Sequence, residues 1–150
     1  MIGLLQRVTQ ARVDVDGKII ARIDRGLLVL VGVERGDGER EAERLAERLL
    51  GYRVFEDADG RMNLALTDLY DAGLLLVPQF TLAADTRKGT RPSFTPAAPP
   101  DDGERLFGHL AACARRSFPR IATGRFGAHM AVTLTNDGPV TFWLRVDPSV

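Results

Sequence analysis

An amide, an aromatic ring and a hydroxyl follow one another at Gln79-Phe80-Thr81, directly after the apolar run Leu74-Leu75-Leu76-Val77 and Pro78. That order puts polar groups where a rigid strand gives way to a loop, a common setting for binding and catalysis. Gln79 has donors and an acceptor suited to a base edge or to backbone. Phe80 offers a face on which a base can stack, or simply fills core. Thr81 is the hydroxyl best placed at the strand end, as nucleophile or as orienting group. A threonine without an adjacent base is a weak nucleophile, and with no histidine near a serine here, a Ser-His-Asp triad has no candidates. Arg87, Lys88 and Arg91 flank Gly89; they either hold phosphates or form a solvated basic loop. A second polar stretch, Asn136-Asp137-Gly138-Pro139, reads as a turn. An X-Pro bond there can be cis, which would aim two successive carbonyls the same way and form an acceptor pair for an ammonium group. The two stretches are expected to meet in one site.

The composition narrows what these groups can do. Twenty basic residues balance twenty acidic ones across 150 residues, so no global positive field recruits nucleic acid and any such binding needs a local patch. Hydrophobic residues make up 45% of the chain, enough for the core of one domain. Cys113 is the only cysteine, which excludes an internal disulfide and a thiolate cluster, and among Ala111, Ala112 and Ala114 it reads as a helical core position. With only His109 and His129, a multi-histidine metal site is not expected. From sequence, no metal or organic cofactor is expected. No apolar run approaches the roughly 20 residues of a membrane helix and no signal pattern opens the chain. A soluble, cytoplasmic protein is expected.

These groups must be positioned by alternating short elements. Met1 to Val8 and Ala11 to Asp16 read as strands, Asp16-Gly17 as a hairpin turn, and Lys18 to Ile23 as the returning strand. Leu27 to Val33 is an unbroken apolar run, hence a strand buried on both faces. Ala42, Leu45, Ala46, Leu49 and Leu50 repeat at helical spacing, with Asp37 as N-cap and Gly51 as C-terminal cap. Tyr52 to Phe55 is a short strand, and Asp57-Ala58-Asp59-Gly60 a plain turn, because the other ligands of a calcium loop are missing. Asn63 fits either a buried hydrogen-bonding role or a loop. A second helix, capped by Asp101 or Asp102 and running to about Ser117, turns Leu106, Phe107, Leu110, Ala111, Ala114 and Phe118 inward and His109 outward. Strands near Met130 to Thr135 and Val140 to Val146 close the chain. The order predicts one α+β domain over 1–150, with a mostly antiparallel or mixed, barrel-like sheet and two main helices outside.

Val77-Pro78-Gln79-Phe80-Thr81-Leu82-Ala83-Ala84-Asp85-Thr86-Arg87-Lys88-Gly89 and Asn136-Asp137-Gly138-Pro139-Val140-Thr141-Phe142 resemble the two signature motifs of the D-aminoacyl-tRNA deacylases. The likeness continues in Leu5-Gln6-Arg7-Val8, Leu49 to Phe55, Met62-Asn63-Leu64, Arg91-Pro92-Ser93-Phe94 and Thr123-Gly124-Arg125-Phe126-Gly127. The resemblance implies hydrolysis of the ester between a D-amino acid, or glycine, and the 3′-terminal ribose of tRNA. It implies a homodimer with active sites at the subunit interface. Gln79, Phe80 and Thr81 would line the pocket for the terminal adenosine, with Thr81 and Phe80 the catalytic positions. Gly138 and Pro139 would enter from the partner subunit and reject L side chains. Arg7 would hold that pair, and Met130 would join the substrate-binding residues. Pro78 stands where the family has serine, and His129 where aspartate is usual. The alternative is a nucleic-acid-binding or replication-associated module on the same fold, with weak catalysis or none.

Overall fold

The computed structural model describes residues 1–148. Its sheet is built around one long strand, β1 (Ile2–Val15), which pairs antiparallel with three others. These are β2 (Lys18–Ile23), β3 (Gly26–Gly32) and the last strand, β8 (Ala131–Arg145). A helix, α1 (Glu39–Gly51), and a two-stranded ribbon, β4 (Phe55–Glu56) with β5 (Met62–Leu64), come next. Then β6 (Gly73–Pro78) pairs parallel with β3, and β7 (Ile121–Thr123) pairs parallel with β6 after the second helix, α2 (Pro100–Ser117). The result is the expected mixed, barrel-like sheet with two helices against it.

The unbroken apolar strands are buried on both faces, for a visible reason. Leu27, Val29 and Val31 of β3, with Leu74 and Leu76 of β6, pack toward α1 and α2. Their alternate neighbours Leu28, Leu75 and Val77 face a second cluster with Val8, Val13 and Val15. Alternation across a pleat sends successive side chains to opposite faces, so two apolar layers need a continuous run. Gly26 and Gly73 allow the two strands to meet at their start: a Cβ on Gly26, at φ +155, would lie 1.9 Å from the Gly73 carbonyl oxygen.

Several boundaries differ from the sequence reading. The two strands expected at the start are one. Its pairing with β8 slips between Gln6 and Val8 and between Val8 and Gln10, with Thr9 and Gln10 exposed. Across those irregularities the inward parity changes, from Val8 to Ala11, Val13 and Val15. The two closing strands are likewise one, and Gly138-Pro139 is a bulge inside β8 instead of a turn between strands: Gln6 pairs with Thr141 but Val8 with Asn136.

Helix caps also differ. Gly38, not Asp37, precedes α1, and its N–H donates to Glu41 Oε2 at 2.7 Å. Asp37 instead accepts from the Met1 ammonium (2.9 Å) and the Glu34 N–H (2.7 Å). Burial pushes its carboxyl above the ordinary value, while those partners pull it back. Gly51 is the last residue of α1 itself, with Tyr52 following as the cap. Pro99 precedes α2, with Asp101 and Asp102 in the first turn where the helix dipole favours acids. The six residues expected on its inner face are all buried. Asp57 closes its turn by accepting from the N–H groups of Asp59 and Arg61, and Asn63 lies on exposed β5, accepting from Arg53. No helix among the described residues is long and apolar enough to cross a membrane.

Candidate active site

The end of β6 opens into a cleft of about 640 Å³ lined by Pro78, Gln79, Phe80, Phe94, Phe126 and Met130, among others. A volume of that size suits a small-molecule or nucleoside-sized group. It opens just past the point where the ladder stops. The β6–β7 pairing ends at Leu76 with Thr123, and the Gly124 N–H still reaches the Leu76 carbonyl at 2.8 Å. Leu74 donates toward β7 and Gln79 toward Val31 of β3, so a donor at position 78 would point past the end of β7. Pro78 therefore removes no sheet hydrogen bond, and its ring becomes cleft wall.

After Pro78 the chain tightens into a 3₁₀ turn, Phe80–Ala83. The turn is anchored by the Gln79 N–H to the Val31 carbonyl at 2.7 Å, and it passes close over Gly32, where a Cβ would meet Leu82 Cβ at 2.9 Å. This geometry leaves Phe80 57% exposed and inclined against Phe94, with ring centroids 5.2 Å apart. A large aromatic ring held half in solvent at a cleft mouth is available for stacking. Thr81, expected to line the pocket, is exposed and outside the cleft lining, tied to it through Gln79, whose Nε2 donates to Thr81 Oγ1 in a short hydrogen bond. The threonine oxygen is thus engaged as an acceptor, and its proton remains free to donate. Among the described residues no histidine or carboxylate hydrogen-bonds Thr81.

Arg7, Gly138 and Pro139 lie elsewhere on the same chain, and none of them lines this cleft. Arg7 is buried in the sheet, with Nη1 donating to the Val54 carbonyl (2.8 Å) and Nε to the Asp137 carbonyl (3.0 Å). Asn136 secures the other side of the bulge by accepting from the Val140 N–H at 2.7 Å. The Gly138-Pro139 bond is cis and Gly138 has φ +131, a region that disfavours L side chains. A Cβ there would lie 2.9 Å from Val140 Cγ2 and 3.1 Å from Arg7 Nη2. Gly138 and Pro139 are both exposed, so a firmly braced bulge presents its backbone outward. Within one chain the two motif stretches do not meet.

Both the sequence and the fold point one way, and comparison with known proteins decides it: the D-Tyr-tRNA(Tyr) deacylase family model matches residues 4–145. The chain belongs to that family. A D-aminoacyl-tRNA deacylase of Nitrosococcus oceani is 65% identical over 150 residues, covering all of this chain and 96% of that protein. One from Thioalkalivibrio sulfidiphilus is 64% identical over 148 residues, with 99% of each chain covered. Among solved structures, a c-Myc DNA unwinding element binding protein superposes with TM-score 0.93 at 37% identity, covering 98% of this chain and 99% of that one. A probable eukaryotic D-amino acid tRNA deacylase has TM-score 0.80 at 18% identity, covering 95% and 97%, and shares the fold.

For this deacylase-family chain the structure adds cleft residues that sequence patterns leave without a role. Phe94 and Phe126 sit in quoted motif stretches but were indistinguishable there from core aromatics. Arg35 also lines the cleft, with Nε donating to the Thr95 carbonyl at 2.6 Å; nothing in its neighbourhood, Glu34-Arg35-Gly36, marks it in sequence. His129, exposed, lies on the cleft wall beside Met130. Arg87 is not a free cation, because it grips Asp85 through Nε (2.9 Å) and Nη2 (2.8 Å) and holds that carboxyl down at about 2. Lys88 and Arg91 are the exposed cations of the loop without a recorded carboxylate partner among the described residues.

Proposed function

We propose that the chain is a D-aminoacyl-tRNA deacylase, hydrolysing the ester between a D-amino acid, or glycine, and the 3′-terminal ribose of tRNA while sparing L-aminoacyl-tRNA. The observation that carries this reading is the pairing of a cleft bordered by Gln79 and Phe80 with an outward, braced Gly138-Pro139 bulge that does not reach it. The cleft takes the terminal adenosine, its base against Phe80. The bulge comes from a second copy, its carbonyls accepting from the substrate ammonium. An L side chain would collide with that backbone, so discrimination works by exclusion. Support for the homodimer comes from β8, whose only pairing partner among the described residues is β1 and which carries exposed Phe142 and Trp143 beside the bulge.

The chemistry fits a site short of bases. An aminoacyl ester is already activated, so positioning and backbone donors suffice to speed its hydrolysis. Thr81, accepting from Gln79, is directed to donate its proton to water or ribose and forms no acyl-enzyme. The test is deacylation of D-Tyr-tRNA beside L-Tyr-tRNA at matched enzyme concentration. Rapid loss of the D ester alone is expected; equal loss of both would remove the chiral filter. A trapped acyl group on Thr81 would overturn its role.

A second reading, a nucleic-acid-binding or replication-associated module, is favoured by the likeness to the DNA unwinding element binding protein. Folded protein that spares both esters yet retains duplex DNA would support it. The balanced charge, twenty residues of each sign, argues against sequence-independent DNA binding.

A further inference from the structure

We propose that Glu43, His109 and Cys113 form a binding site for a divalent cation of the zinc class at the seam of α1 and α2, away from the cleft. His109 and Cys113 are four residues apart on α2 and so share one face of the helix. Glu43 faces them from α1, with its Oε1 3.0 Å from His109 Nε2. The three ligating atoms all lie within 4.8 Å of one another. Around a tetrahedral zinc, with bonds of about 2.0–2.3 Å, ligand atoms stand somewhat under 4 Å apart. Small side-chain rotations close the triangle, and water takes the fourth position.

A surface His–Glu pair alone needs no metal and contributes little to stability. The third, converging sulfur goes beyond it. Burial is graded: Cys113 is 9% exposed, while the side chains of His109 and Glu43 are 26% and 52% exposed. The softest donor is at the bottom and the carboxylate at the open mouth, which gives a cation an entry path. Arg116 Nη2 stands 3.0 Å from Cys113 Sγ on an exposed side chain and must swing aside when a cation takes the sulfur. Imidazole and thiolate favour zinc or cobalt over magnesium and calcium, which prefer oxygen donors. Sequence composition hid this set because it holds one residue of each ligand type, from two helices.

The test is Co2+ titration of the full chain freed of metal, followed by absorption. One equivalent is expected to give a near-ultraviolet sulfur-to-cobalt charge-transfer band together with intense tetrahedral visible bands, both erased by Zn2+. Cys113→Ser should abolish the charge-transfer band. His109→Gln and Glu43→Gln should each weaken Co2+ binding by roughly tenfold or more, whereas His129→Gln should leave it unchanged. Circular dichroism confirms that each variant is folded. Absence of the charge-transfer band in the native chain would overturn the proposal. So would undiminished affinity in both His109→Gln and Glu43→Gln, the signature of a lone thiol.

Discussion

Mixing two crippled variants tests whether the bulge of one chain completes the cleft of another. The first is Gly138→Ala. Its new Cβ would stand 2.9 Å from Val140 Cγ2 and 3.1 Å from Arg7 Nη2, at φ +131. Such a backbone position costs a side-chain-bearing residue roughly 1–3 kcal/mol. The bulge relieves that by moving, so under the proposed function the same energy is lost where its carbonyls would hold the substrate. Expressed in the transition state, it lowers kcat/KM for the D ester by roughly five- to 150-fold. The second is Phe80→Ala, which strips the exposed ring from the cleft mouth; base–aromatic stacking is worth about 1–3 kcal/mol, a similar loss. The two variants, carrying different affinity tags, are unfolded together, refolded as a mixture and assayed on D-Tyr-tRNA. If the site is shared between chains, each mixed dimer has one site with both defects and one with neither. Random pairing makes half of the dimers mixed, so their intact sites contribute about a quarter of the native value on top of the residual activity of the parental dimers. Recovery no higher than the mean of the two parents, in a sample shown by tag capture to contain mixed dimers, would place both motifs in one chain's site and refute the reasoning.

Other outcomes follow from individual contacts. Arg7→Met leaves the Val54 and Asp137 carbonyls without their charged donor, and should destabilise the fold by roughly 1.5–3 kcal/mol in urea unfolding. The same variant should narrow the D-over-L rate ratio as the bulge loosens. Thr81→Ser, which keeps the hydroxyl, should stay within a few-fold of native kcat, while Thr81→Ala should fall well below it with no acyl-enzyme detected by mass spectrometry. Gly26→Ala drives a Cβ to 1.9 Å from the Gly73 carbonyl and should cost roughly 3 kcal/mol or more, read as a lowered melting temperature. The Asp85 carboxyl is lowered from 3.8 to about 2. Its contact with Arg87 is therefore fully present above the ordinary value and lost as pH falls through about 2. Carbon-detected NMR titration of the carboxyl should find that low midpoint in the native chain and an ordinary one in Arg87→Ala.

What could be read from sequence, and what could not, divides along physical lines. The runs Leu27 to Val31 and Leu74 to Val77 announced strands buried on both sides because an apolar layer lies on each face. The inner face of α2 was correct residue by residue, since 3.6-residue periodicity survives its surroundings. Strand continuity was not legible at Thr9-Gln10, where an irregular register shifts the buried parity and mimics a break. Nor was it legible at Gly138-Pro139, because a bulge and a turn use the same residue types. Asp37 looked like a cap on composition, yet the Met1 ammonium, thirty-six positions away, claims it. Of the site, Gln79 and Phe80 could be placed at a strand end, but their partners Phe94 and Phe126 arrive from separate segments. Spacing leaves Arg87 open between holding phosphate and a solvated loop, because it says nothing about the grip of Asp85 two residues back.

The open end of the β6–β7 ladder has a consequence for how this pocket can vary. The cleft lies just past the point where the β6–β7 pairing stops, at Leu76 and Thr123, and its innermost lining is made of buried core side chains, Val31, Val33, Val77 and Phe107. Mutation at Pro78, Met130 or Phe126, which are only partly buried, can reshape or narrow the recess with little disturbance of the core. Deepening it means truncating one of the four buried groups, and a change such as Phe107→Ala would cost roughly 3–5 kcal/mol of packing. The shape of the recess can drift sideways with ease, and inward only at the expense of the fold.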